Sequence, residues 1–361
     1  MTTTNLSLYS ILFFALLMVQ CQTTSDKEAI VLENNANIDL KDKAISIERS
    51  DLSIIPEGDI FPMVISENGD TLPTQLDDMD GDQSWDELFF VTDLRSNEKV
   101  SYSLEWVNEK PDYKPRTSVR FGKRLAADIP VKPALEEELT AKDLPLMMGF
   151  QRYQTDGPTW ENDKVGFRHY LDGRNSKDVF GKKISEMSPE DVGIGEKGVT
   201  EDNYHVMEDW GRDVLSVGNS VGVGGFGLKV DDQLFRLGSV EGDTMSNVER
   251  TNFRIVTEGP VRSGLNYAYS NWRAEDRSYT VEENTSIWPG MYGYHNTVEI
   301  SGLQGDEELV VGLVNSNTDM PLDAYDGNEK YMVLYTHDEQ TYDKEWWLGL
   351  AIIVPRDIYL G

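Results

Sequence analysis

An all-β fold, an antiparallel β-sandwich with few short helices, is predicted by three features of the chain. These are period-two alternation in one segment after another, turn signals at short spacing, and scarce helical periodicity. Ala44-Ile45-Ser46-Ile47-Glu48-Arg49 alternates cleanly, as a half-buried strand requires. Pro62 to Leu76 is broken by Asn68-Gly69, a pair that accepts positive φ and so makes a hairpin turn. Further strands are expected at 86–94, 98–107, 253–258, 261–270, 278–288, 295–301, 308–314, 330–336 and 346–354. Within one of them Tyr279, Val281, Glu283, Thr285 and Ile287 share a face. Helical spacing is confined to 135–143 (LEEELTAKD) and 184–192, each expected as a short helix. A Pro-, Lys- and Glu-rich stretch near 115–145 is expected to separate an N-terminal β module (22–115) from the main β-sandwich (116–361).

The first 21 residues read as an export signal. Residues 6–19 (LSLYSILFFALLMV) are nearly all apolar, too short to span a bilayer as a helix but the length of a signal-peptide core. The sole cysteine, Cys21, follows directly and is expected to carry a lipid anchor. The preceding Gln20 and the absence of Lys or Arg before Asp26 both depart from the usual lipoprotein pattern. With Cys21 committed to lipid, the mature chain has no disulfide, thiolate zinc site or cysteine nucleophile, and a sulfatase that matures from cysteine is excluded. The expected location is a bacterial membrane, the outer one, facing periplasm or cell surface.

The balance of 33 basic against 64 acidic residues gives a net charge of −31. Such a field repels nucleic acid and anionic lipid surfaces, so membrane attachment is expected through the anchor alone. An anionic ligand must be met by a local group of Arg and Lys. About 340 residues beyond the signal, 39% hydrophobic across the whole chain, suffice for one large β domain or two smaller ones.

Four stretches carry candidate chemistry. Asp77 to Glu87 (DDMDGDQSWDE) sets carboxylates at alternate positions around Gly81, and Asp78, Asp80, Asp82 and Asp86 are candidate ligands of a structural calcium. The competing reading is an acidic hairpin tip held by its own Asx turns. Gly222 to Gly227 (GVGGFG) matches G-x-G-x-x-G, but no credible helix follows; it reads as a bent, side-chain-poor strand rather than a nucleotide loop. Asp156 to Lys182 is the densest polar and aromatic stretch, holding Trp160, Glu161, Asn162, Asp163, Arg168, His169, Tyr170, Asp172, Arg174 and Asn175. Aromatic faces, planar amides, carboxylates and Arg are what sugar sites use. If 165–171 is a strand, Arg168 and Tyr170 share one face and His169 shares the other with Phe167 and Leu171, where it is as readily a core histidine as a catalytic one. A second cluster, Asn203 to Asp213 (NYHVMEDWGRD), holds His205, Glu208, Asp209, Trp210, Arg212 and Asp213.

With these two clusters the chain resembles a family of marine and gut Bacteroidetes lipoproteins long catalogued as a domain of unknown function. GPTWENDKVGFRHYLDGRNSKDVFGK, EDWGRDVLSVGNSVGVGGFGL and DMDGDQSWDELFF carry the likeness, which covers most of the mature chain. The family belongs with polysaccharide-utilisation genes, and the most similar members lie in loci for ulvan, a sulfated algal polysaccharide of rhamnose and uronic acids. The resemblance implies an oligosaccharide dehydratase (a hydro-lyase) acting on the non-reducing-end uronic acid, on a galactose-mutarotase-like β-supersandwich. Gln83 stands where a Gly is usual in the acidic loop, and the chain ends earlier than the family pattern implies, short of a C-terminal strand pair.

Removing water across C4–C5 of a uronate requires a partner that neutralises the carboxylate, a base at C5 and an acid for the 4-hydroxyl. The expected assignment places Arg174, or Arg168, with Asn175 on the carboxylate. His169 or His205 is then the base, Tyr170 the acid, and Trp160 and Trp210 the sugar platforms, with Asn162 and Asp209 on substrate hydroxyls. No cofactor is required. Two rivals are a glycoside hydrolase using two of Glu161, Asp163, Asp172 and Asp209, and a non-catalytic glycan-binding lipoprotein.

Overall fold

A computed structural model describes residues 27–58, 60–145 and 149–361. Cys21 and the apolar run before it lie outside them, and no helix among the described residues is long and apolar enough to cross a membrane. The described chain is all-β, built of antiparallel sheets without a barrel.

Seven strands make the N-terminal part: β1 (Glu28–Glu33), β2 (Leu40–Glu48), β3 (Phe61–Ser66), β4 (Thr71–Leu72), β5 (Thr74–Asp77), β6 (Glu87–Leu94) and β7 (Lys99–Val107). They form two sheets, ordered β1-β7-β3-β4 and β2-β6-β5, around Ile30, Val64, Leu88, Phe90, Tyr102 and Leu104. Alternation along β6 turns Leu88 and Phe90 into this core and Phe89 and Val91 outward onto Val261 and Trp288. Burial on both faces accounts for its unbroken apolar run. At the same junction the Gln75 side-chain oxygen accepts the Val261 and Arg262 amides, and Arg262 pairs with buried Asp77 at 2.7 Å.

Between β7 and the next strand, residues 108–116 carry the chain into a second set of sheets. The strands are β8 (Thr117–Arg120), β9 (Gly122–Lys123), β10 (Lys132–Pro133), β11 (Glu136–Thr140), β12 (Thr159–Asn162), β13 (Val165–His169), β14 (Lys177–Lys182) and β15 (Gly211–Asp213). After them come β16 (Val223–Val230), β17 (Gln233–Arg236), β18 (Val248–Glu258), β19 (Ser263–Ala274), β20 (Arg277–Ile287), β21 (His295–Ser301) and β22 (Glu308–Leu313). The last three are β23 (Asp323–Tyr325), β24 (Tyr331–Asp338) and β25 (Leu348–Pro355). Two five-stranded sheets, β15-β14-β13-β12-β8 and β11-β18-β19-β20-β21, contribute to one large core with Trp160, Phe167, Phe253, Tyr267, Tyr269 and Trp272.

Neither expected helix forms. Glu136–Thr140 is β11, paired with β18, because Glu137 and Leu139 face inward while Glu136 and Glu138 face water. Tertiary pairing overrides the local helix preference of Leu and Glu there. Residues 184–192 are turns and irregular chain laid over the outside of β14. The glycine-rich run is strand β16 with a bulge between Val223 and Phe226. Gly222 has φ +72°, and a Cβ there would sit 1.8 Å from the Lys177 carbonyl; one on Gly224 would meet the Tyr294 hydroxyl. Close packing explains these glycines, and no phosphate-binding helix follows them.

Candidate functional site

The site begins with register. Strand β13 pairs with β14 so that Arg168 lies opposite Asp178 and His169 opposite Lys177. Because side chains alternate, Arg168 and Asp178 project to the outer face and His169 and Lys177 into the core. Strand β15 adds Asp213 opposite Phe180, on the outer face one pair further along.

On that outer face two carboxylates converge on one guanidinium. Arg168 Nη2 lies 2.7 Å from Asp213 Oδ2 and bonds more closely to Asp178 Oδ2, and all three residues are fully enclosed. Burial works against the Arg168 charge, but Asp178 and Asp213 outweigh it and hold the group above its ordinary range. Burial, then repulsion from Asp178, pushes the Asp213 carboxyl up. The Tyr170 hydroxyl accepts from Arg168 and donates to Asp178 at 3.0 Å, while the Arg174 guanidinium sits 4.2 Å from the Tyr170 ring centre.

This enclosed floor meets solvent through His205, which ends a short 3-10 turn (Asn203–His205) and keeps 41% of its side chain exposed. Its Nδ1 is 3.5 Å from Asp213 Oδ2. Its ring lies 4.7 Å from Tyr204 and 5.5 Å, edge-on, from Tyr342. Burial and the nearby Arg168 hold the imidazole below its usual value, so it is neutral at pH 7. The Tyr342 hydroxyl has no hydrogen-bond partner among the described residues, and burial keeps it protonated well beyond neutral pH. Tyr204 donates towards Asp202 (2.9 Å) and Asp156 (3.2 Å), and the Asp156 carboxyl is pushed up by burial.

Backbone strain marks the same place. Among the described residues, consecutive non-glycine residues at positive φ occur twice, at Thr155–Asp156 (φ 50° and 62°) and Asp343–Lys344 (56° and 55°). Such conformations cost of order 1–3 kcal/mol each and persist where the surroundings enforce them. The first pair delivers Asp156 beside Arg168 and Tyr204; the second follows Tyr342 directly.

Several expected site residues lie elsewhere or face the wrong way. His169 is fully enclosed on the core face, stacked 4.3 Å from Tyr267, with its pKa lowered to about 3 by burial and then by Lys177. It cannot meet a substrate as base. Asn175 approaches His169 Nε2 at 3.4 Å and stays buried, away from any substrate carboxylate. Trp160 is 1% exposed and packs on Phe167 and Tyr294, and Trp210 packs on Phe180; neither offers a platform. Asn162 donates to the Trp288 and Met291 carbonyls and accepts the amides of a tight turn. Arg168 is sealed by its carboxylates, and the Tyr170 hydroxyl points at them, so neither reaches outward. Asp209 is exposed on the loop before β15. His205 faces solvent beside Asp213, while Arg174 is paired to Asp172 at 2.7 Å and lies over the Tyr170 ring.

Of the four carboxylates in the hydrolase reading, three are engaged, Asp172 by Arg174. Glu161 accepts from Arg120, Lys182 and Ser188, and Asp163 from Arg116 and the Gly290 amide. Sequence reasoning missed Asp178, Tyr342 and the strained pairs as parts of this site. A polar-aromatic signal did exist around Tyr342, in DEQTYDKEWW (338–347), more than 100 residues beyond the two clusters.

The acidic loop sits between β5 and β6. Oxygens of Asp78, Asp80 and Asp86 fall within 4.8 Å of one another, a set suited to a hard cation. Asp82 is not in that group; it accepts the Ser84 amide. The carboxylates of Asp78 and Asp86 also accept loop amides, so the turn is partly held by its own side chains.

The chain is similar to a protein of Formosa agariphila described as "Uncharacterized protein P7". The two are 24% identical over 359 residues, covering 92% of this chain and 77% of that protein. The model of the family described as "Domain of unknown function (DUF4861)" matches residues 32–360, and the chain belongs to that family.

Proposed function

We propose that this chain is a lipid-anchored bacterial enzyme that eliminates water from a non-reducing-end uronic acid of an algal, ulvan-type oligosaccharide. One observation carries the reading: a neutral, half-exposed histidine backed by a carboxylate stands beside a protonated tyrosine with an unpartnered hydroxyl. His205, with Asp213 at Nδ1, takes the C5 proton through Nε2. The C4–C5 double bond forms as the C4–O bond breaks, and Tyr342 protonates the departing hydroxyl, which leaves as water. The proton on His205 then returns to the Tyr342 oxygen, so nothing is consumed. Arg212, 5.9 Å from the Tyr342 ring centre, and Arg174, 4.2 Å from the Tyr170 ring centre, are the cations assigned to the carboxylate that makes its neighbouring C5 proton acidic.

The test is to incubate the protein with saturated uronic-acid oligosaccharides and follow ultraviolet absorbance and product mass. The reading expects an absorbing product lighter than substrate by one water, with no glycosidic bond cut. A second reading, glycoside hydrolysis, is favoured by the raised carboxyl of Asp156, which shares the Tyr204 hydroxyl with Asp202 and suits a general acid. It predicts two shorter, non-absorbing products from the same incubation.

A further inference from the structure

Beyond the His205 opening, the turn 341–347 carries a feature the elimination does not use. Its base is firmly built. Gln340 and Thr341 are each 2% exposed; Gln340 donates to the Leu348 carbonyl, Asn317 donates to the Thr341 carbonyl, and the Thr341 hydroxyl bridges the amide and carbonyl of Trp346. The strained pair Asp343–Lys344 lies within it. Yet the turn exposes two tryptophans, Trp346 at 43% and Trp347 at 61%. A rigid, strained turn presenting its largest apolar rings to water is better explained by a ligand than by packing.

The two rings differ in setting. Trp347 lies 5.1 Å from His337, against β24. Trp346 continues the site: the Arg212 guanidinium sits 5.0 Å from its ring centre and 5.9 Å from that of Tyr342, which in turn meets His205. Arg212 is held by Glu345 at 3.3 Å and donates from Nε to the Asp213 carbonyl. His205, Tyr342, Arg212 and Trp346 therefore form one continuous strip, three aromatic rings with one guanidinium set between the last two.

We infer that Trp346 is the platform of a second sugar subsite, stacking the apolar ring face of the residue next to the terminal uronate. Naming that occupant rests on the elimination reading; the strip itself does not. The occupant is a carbohydrate ring because the platform is continuous with the opening and edged by a guanidinium that can donate to ring hydroxyls.

Intrinsic tryptophan fluorescence titrated with saturated uronate-ended disaccharide and tetrasaccharide tests this in the full mature chain. The longer sugar is expected to bind about tenfold more tightly, the scale of one well-placed contact. In Trp346→Ala that preference should collapse to near unity, and in Trp347→Ala it should persist. Matched far-ultraviolet dichroism and melting temperatures guard against misfolding. Equal wild-type affinity for both sugars, or a Trp346→Ala protein that keeps the preference, overturns the subsite. So does a wild-type dimer that Trp346→Ala converts to monomer, which would make this face a contact between copies. Length-dependent binding lost in Trp346→Ala, with no product formed by wild type, would support the subsite while removing the elimination.

Discussion

Strand β13 separates two buried ionic networks of nearly the same composition. On its outer face Arg168 meets Asp178, Asp213 and Tyr170; on its inner face Lys177 of the neighbouring strand pairs with Glu283 at 2.7 Å beside His169 and Tyr269. Both sets are enclosed, and each lies against a histidine lowered by burial. They differ in what lies next to them. The outer set touches a half-exposed histidine, a tyrosine with an unpartnered hydroxyl and two strained turns, whereas Glu283 is closed in by Asn296, which Thr285 holds in turn. Burial with perturbed titration thus does not by itself mark a site; a route to solvent does.

The sharpest way to break this comparison is to remove one charge from each face. Lys177→Met leaves Glu283 charged and enclosed, and should cost about 3–5 kcal/mol in urea unfolding, with Lys177→Met/Glu283→Leu recovering most of it. Asp213→Asn relieves one of two carboxylates sharing one guanidinium, so it should cost less than Lys177→Met while abolishing turnover. Equal losses for the two single changes would erase the distinction.

Acid sensitivity separates the faces more finely. With a folded pKa of about 3, His169 stays neutral in the native chain, whereas the unfolded chain binds a proton below its ordinary value near 6.5. The native state is therefore at full advantage above that value and loses it as pH falls towards 3, by about 1.4 kcal/mol per pH unit for one proton. His169→Gln should flatten the fall in urea midpoint between pH 6.5 and 4.5, whatever its effect at pH 7. An unchanged slope would mean that His169 is protonated in the folded chain.

Much of the fold was legible because alternation is a local property. Tyr279 to Ile287 alternate in sequence and all five inward positions are buried. The same logic placed Arg168 and His169 on opposite faces. It could not say which face led to solvent, because that depends on residues 183–210 and 341–347 being brought to the outer side of the sheet. Trp160 and Trp210 were misassigned for the same reason. Residue type gives a tryptophan's capacity to stack, whereas exposure follows from what packs over it. The helix expected at 135–143 failed because its Leu and Glu were weighed without the partner strand β18.

Smaller effects concern the parts away from β13. If Asp78, Asp80 and Asp86 hold calcium, chelator should lower the melting temperature and added calcium restore it, since a ligand of the folded state stabilises by mass action. Identical melting curves in both conditions would leave the loop to its own hydrogen bonds. For the anchor, Cys21→Ser should move the protein from the membrane to the supernatant fraction of its native host; retention in the membrane would contradict lipidation.

The central claim is that chemistry occurs on the outer face, at His205, and not on the inner face, at His169. Both histidines are the same residue type and sit within 36 positions of each other, so exchanging their fates is a direct comparison. Product mass and ultraviolet absorbance should be recorded for wild type, His205→Asn and His169→Gln on one saturated uronate oligosaccharide. The account predicts that wild type and folded His169→Gln release one water per substrate, while His205→Asn is slower by about 10²–10⁴-fold, the usual share of a general base. Full activity in His205→Asn with loss in a stably folded His169→Gln would contradict it.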